Sequence, residues 1–123
     1  MKSASSSCWW VYVIRQAQGA LYTGITLDVQ RRFAEHQANG PKTAKALRGR
    51  GPLELAFAAP VGSHRSALQV EGRIKKLKRS AKLAFIEQGH LPVQWQEETM
   101  QNLLDAAGEI DQSRTRRQQG SKE

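Results

Sequence analysis

Two runs of strand-forming residues bracket a short turn near the start of the chain, and this pairing constrains the fold more than any other feature. Residues 9–14 (Trp-Trp-Val-Tyr-Val-Ile) and 21–25 (Leu-Tyr-Thr-Gly-Ile) are aromatic and β-branched. Between them Ala17-Gln18-Gly19 supplies turn residues, which predicts a β-hairpin. Tyr12 and Tyr22 lie one on each strand. An odd-length connection puts them on the same sheet face; a two-residue loop puts them on opposite faces.

A helix is predicted next, capped by Thr26 or Asp28, running to about Ala38 and ended by Asn39-Gly40-Pro41. Val29 and Phe33 give it an apolar edge. Arg32 and His36 are four apart, so they share one face. Residues 41–52 form a Gly/Lys/Arg-rich loop with Lys42, Lys45, Arg48 and Arg50. Residues 53–59 read as a third strand and Pro60-Val61-Gly62 as a turn. Ser66 to Gln69 matches a capping box. The helix behind it has Ala67, Val70, Ile74 and Leu77 as its apolar stripe, with Glu71 at the stripe's edge. A short helix over 80–88 stops at Gly89.

The order β-β-α-β-α-α predicts a small mixed α/β (α+β) domain, a three-stranded, largely antiparallel sheet with flanking helices. With 123 residues, one domain is expected, over 9–90. Residues 1–8 are expected to be a disordered lead and 91–123 a tail with a helix over about 94–107.

Charge adds a partner class. The chain carries +8, and residues 9–90 hold fourteen Lys/Arg against five Asp/Glu. The basic character thus belongs to the predicted domain, and favours a polyanion such as nucleic acid. Arg73 and Lys76 extend it to the Glu71 helix. A single cysteine, Cys8, excludes an intrachain disulfide and a cysteine zinc site. Seven apolar residues over 8–14 are too few to span a membrane. A cytoplasmic location is expected.

Tyr12, Tyr22, Arg32, His36 and Glu71 include groups suited to cutting a phosphodiester. A base must activate water, a cation must hold the phosphate, and the leaving oxygen must be stabilised. Arg grips phosphate through a planar fork. A carboxylate offers hard oxygen to Mg²⁺. Each residue alone also has an ordinary role: strand aromatics, solvated helix positions, or Glu71 pairing with Lys75.

Taken in order and spacing, Tyr12, Tyr22-Thr23-Gly24, Arg32 with His36, and Glu71 resemble the GIY-YIG nuclease superfamily, in particular its small stand-alone bacterial YhbQ-like members. The runs 21–26 and 44–49 carry the same likeness, which covers about residues 9–90. It implies that Tyr12 is the general base, Tyr22 orients water or phosphate, and Arg32 stabilises the transition state. It implies that His36 polarises or deprotonates a tyrosine, and that Glu71 holds one divalent ion, Mg²⁺ or Mn²⁺, beside the leaving oxygen. The implied activity is metal-dependent endonucleolytic hydrolysis of DNA, structure-selective or of low sequence specificity, in repair or recombination. RNA remains a possible substrate, and a non-catalytic nucleic-acid-binding module is the alternative. The first motif departs from the family, with Trp10 where glycine is usual and Val11 for isoleucine. In the second, Thr23 stands where an aliphatic residue is usual.

Overall fold

The computed structural model describes residues 8–92, 94 and 95. Strand β1 (Trp9–Arg15) is central and pairs antiparallel with β2 (Leu21–Thr26) on one side and β3 (Glu54–Gly62) on the other. Helices α1 (Val29–Gln37), α2 (His64–Lys76) and α3 (Arg79–Gln88) complete the expected β-β-α-β-α-α order, and Lys45–Leu47 forms one 3₁₀ turn. The fold is the α+β arrangement that the pattern predicts. Of the expected lead, only Cys8 is described; of the expected 94–107 helix, only Gln94 and Trp95, and the rest of both lies outside the described residues.

Strand register settles where the tyrosines point. Arg15 pairs with Leu21, so the connection has five residues, an odd number. Tyr12 faces Gly24 and Tyr22 faces Ile14, which puts both rings on one side of the sheet. Gly24 is required there: a β-carbon on it would lie 2.5 Å from the Tyr12 hydroxyl oxygen. The ring lies across the space that any other residue would fill.

Both sheet faces are covered. Odd positions Val11 and Val13 pack with Phe57, Val61, Ala67, Val70, Ile74 and Phe85. Phe57 and Phe85 meet edge to face at 5.0 Å between centroids. Burying each such ring contributes roughly 1.5–3 kcal/mol. Even positions Tyr12 and Ile14 pack with Leu47 and Leu53, with Phe33 of α1 and Ala44 against them.

Three local details correct the sequence reading. The third strand runs on through Pro60-Val61-Gly62, which is not a turn. Strand β3 lies at the sheet edge, where proline's missing N–H costs no ladder bond. Second, Ser63 caps α2, accepting from the Ser66 N–H at 3.1 Å, and Ser66 is buried inside the first turn. The expected box over 66–69 began one turn late. Third, α3 starts at Arg79, one residue early, and ends as expected at Gly89, whose φ of 84° is the left-handed conformation that glycine adopts freely. Asp28 is the α1 cap, accepting from the Arg31 N–H at 3.1 Å.

Candidate functional site

The even face of the hairpin, α1 and the loop after it converge on Tyr12. Helix α1 begins at Val29 just after β2 ends, and its fourth and eighth residues are Arg32 and His36. Phe33 sits against the Tyr12 face and anchors the helix there. The geometry turns His36 inward, to 1% exposure beside Tyr12 at 2%. The Tyr12 hydroxyl and His36 Nε2 are 2.9 Å apart. The Tyr22 ring closes the group: its centroid is 6.4 Å from Tyr12 and 5.7 Å from His36, edge-on to the latter.

The His36 tautomer follows from its other neighbour. The Ala44 backbone N–H donates to His36 Nδ1 at 3.2 Å. A backbone amide only donates, so Nδ1 is an unprotonated acceptor. Neutral imidazole then carries its proton on Nε2, and His36 donates to the Tyr12 oxygen. Burial, then the Arg32 charge, lowers the His36 pKa and keeps the ring neutral.

Tyr12 is a reluctant acid at rest. Burial first, then Tyr22, pushes its pKa up to about 12, with the Arg32 charge pulling the other way. Arg32 is half-buried; its Nη1 donates to the Glu35 carboxylate at 2.7 Å and to the Lys42 carbonyl at 2.9 Å. Burial disfavours the Arg32 charge, but the Glu35 bond and Tyr12 outweigh it and raise its pKa further. Glu35 is held below the usual carboxylate range, by the Arg32 hydrogen bond first.

Glu71 lies on α2, which packs against all three strands. Its negative charge reaches Tyr12 and adds slightly to the rise there. It also pairs with Lys75 at 3.4 Å, the ordinary helix pair that the sequence offers. Among the described residues no cluster of three or more His, Cys, Asp or Glu is built to hold a metal. A lone, partly exposed carboxylate suits a cation that keeps most of its waters, which is the habit of Mg²⁺.

The basic residues fall into two groups. Lys42, Lys45, Arg48 and Arg50 are exposed on the loop after α1, and Arg73 and Lys76 are exposed on α2. Arg48 also braces its own loop, donating to the Thr43 carbonyl at 3.3 Å and the Pro41 carbonyl at 3.4 Å. Arg73 lies 5.8 Å from the Trp95 ring centroid. A cavity of about 270 Å³ lies between the end of α1 and the loop, lined by His36, Gln37, Asn39 and Leu47 among others. It borders the back of the site; Tyr12, Tyr22, Arg32 and Glu71 do not line it.

Sequence reasoning missed Thr43 and Glu35. Thr43 is 3% exposed within a basic stretch whose Lys and Arg side chains are exposed, and nothing in the sequence marks it. Glu35 carried a weak signal: an acid three residues after Arg32 on a helix.

The whole constellation lies inside a recognised family unit. Residues 8–84 match the model of the GIY-YIG catalytic domain. The chain belongs to the GIY-YIG nuclease family. It is 59% identical over 75 residues to a UPF0213 protein of Enterobacter sp. (strain 638), covering 61% of this chain and 72% of that one. It is 51% identical over 81 residues to the UPF0213 protein YhbQ of Escherichia coli O8 (strain IAI1), covering 66% and 79%. The solution NMR structure of a UPF0213 protein from Bacillus halodurans aligns at 34% identity with a TM-score of 0.45, covering 69% of this chain and 88% of that one. Among the described residues no helix is long and apolar enough to cross a membrane.

Proposed function

We propose that this GIY-YIG protein is a divalent-metal-dependent endonuclease that hydrolyses phosphodiester bonds in DNA. The observation carrying this reading is the buried pair of Tyr12 and His36, 2.9 Å apart, with the Arg32 and Glu71 charges both acting on Tyr12.

In hydrolysis a water oxygen bonds to phosphorus, the bond to the leaving ester oxygen breaks, and a water proton goes to a base. Tyr12 is that base. Its phenol must shed its own proton before or while it takes one from water. His36 donates to the Tyr12 oxygen, so that proton leaves on the side away from His36, to a solvent water, and the phenolate then takes its proton from the attacking water. Of the two roles implied for His36, polarising the tyrosine fits this hydrogen-bond order and deprotonating it does not. The Nε2–H and the Arg32 charge both favour phenolate as it forms, against the burial that disfavours it.

Arg32 holds a phosphate oxygen with the guanidinium N–H groups that Glu35 and Lys42 do not occupy. Tyr22, on the same face, orients the water or the phosphate. Glu71 would hold one Mg²⁺ or Mn²⁺, which supplies Lewis-acid stabilisation of the leaving oxygen when bound. Lys42, Lys45, Arg48, Arg50, Arg73 and Lys76 supply phosphate contacts, which makes binding salt-sensitive and weakly sequence-selective. A role in DNA repair or recombination, in the cytoplasm, is consistent with such a cutter.

The test incubates the protein with nicked, flapped, branched and single-stranded DNA and with RNA, with Mg²⁺ or Mn²⁺ and with EDTA. Metal-dependent cutting of DNA, lost in Glu71→Ala, is expected. No cleavage of any DNA, or undiminished cleavage by Glu71→Ala, overturns the proposal.

A further inference from the structure

The basic loop after α1 has an inner side that grips the helix. Three consecutive loop residues each bond to it. The Lys42 carbonyl accepts from Arg32 at 2.9 Å. The Thr43 hydroxyl donates to the Glu35 carbonyl at 2.9 Å, lies 3.3 Å from the His36 carbonyl, and accepts from the Gly40 N–H at 2.9 Å. The Ala44 N–H donates to His36 Nδ1 at 3.2 Å.

The middle member of this clamp is the anchor. Helix α1 ends at Gln37, so the Glu35 and His36 carbonyls belong to its last turn; the His36 carbonyl accepts from the Asn39 N–H at 3.2 Å, and the Glu35 carbonyl takes the Thr43 hydroxyl. The buried Thr43 side chain caps that end, and its hydroxyl fixes where the residues on either side fall. A shift of the Ala44 amide by even an ångström would release Nδ1, and the imidazole would be free to carry its proton on either nitrogen.

We propose that Thr43 is a positioning residue: it locks the loop onto the end of α1 so that the Ala44 N–H holds His36 in the tautomer that donates Nε2–H to Tyr12, while the Lys42 carbonyl holds Arg32. The proposal rests on the reading of Tyr12 as the base. Its consequence is a link between binding and chemistry. The loop that offers Lys42, Lys45 and Arg50 outward to phosphate is the loop that sets the proton order inside.

The isosteric variant Thr43→Val removes the hydroxyl and keeps the volume; Thr43→Ser restores it. Long-range ¹H–¹⁵N correlation reads the His36 tautomer without any cleavage reaction. Wild type is expected to show one neutral tautomer with the proton on Nε2. Thr43→Val should show a mixture, and Thr43→Ser should return to one form. On whichever DNA the wild type cuts, Thr43→Val should lower kcat about 10–100-fold, the cost of a misplaced catalytic group, with KM within about twofold. Thr43→Ser should recover most of kcat.

A wild-type proton on Nδ1 overturns the proposal with no variant needed, even if Thr43→Val folds poorly. A single Nε2–H tautomer with wild-type kcat in a folded Thr43→Val also overturns it. If the wild type cuts nothing, the catalytic reading fails, and the tautomer measurement still decides whether the clamp sets His36.

Discussion

The two faces of the central strand are buried to the same degree by different means. Val11 and Val13 on one face, and Tyr12 and Ile14 on the other, are all within 2% of full burial. The odd face is closed by apolar side chains from β3, α2 and α3. The even face encloses Tyr12 and His36, whose polar atoms pair with each other and with the loop. Apolar packing is non-directional and tolerates substitutions that conserve volume. A buried polar pair has few satisfied arrangements, so it fixes atoms in place. The odd face therefore supplies stability, and the even face supplies geometry.

Tyr12→Phe should break that division most sharply. It deletes one oxygen from the even face and is expected to lower kcat about 10²–10⁴-fold, the usual contribution of a general base. Thermal melting should change far less than activity. If the rate survives, the even face is a polar core and not a reaction centre.

Phe85→Ala is the mirror experiment. Phe85 is 2% exposed, and its loss should cost about 3–5 kcal/mol in a denaturant titration. Specific activity of the molecules that remain folded should stay near wild type. A matching collapse of kcat would show the two faces to be coupled.

Acid should act on the even face through His36. Its pKa is lowered, by burial first and the Arg32 charge second, from an ordinary 6.5. The unfolded chain therefore takes up this proton more readily than the folded one. Stability from neutral His36 is whole above pH 6.5 and is lost as pH falls through the lower folded value. Protonation would also turn Nδ1 into a donor facing the Ala44 N–H, and break that bond. Cleavage rate should fall roughly tenfold per pH unit below the folded value. His36→Gln should flatten that limb of the profile.

Ser63→Ala gives the smallest change. Loss of the α2 cap should cost about 1 kcal/mol by thermal melting, with little effect on rate. A large kinetic effect would place the start of α2, and with it Glu71, closer to the chemistry than its packing implies.

Much of this arrangement was legible in the residues. The hairpin, the start of α1 at one of two candidate caps (Thr26 or Asp28), the α2 stripe of Ala67, Val70 and Ile74, and the Gly89 stop all rest on local chemistry that sequence displays. The order of Tyr12, Tyr22, Arg32, His36 and Glu71 was legible as a family pattern. Pro60 misled because a proline signals a turn unless the strand lies at an edge, and edge position is a property of the sheet. The Ser66 box misled because Ser63 offered the same cap one turn earlier.

By itself the sequence determined which segments become strands and helices and which side chains are available for chemistry, because propensity, capping and periodicity are local. Only the tertiary structure decided that the two tyrosines share a face, since that depends on a five-residue connection and its register. Only the tertiary structure gave His36 its tautomer and Thr43 its place. Both depend on hydrogen bonds between α1 and a loop seven or eight residues further on. Such bonds form only once the loop folds back, and no local pattern records them.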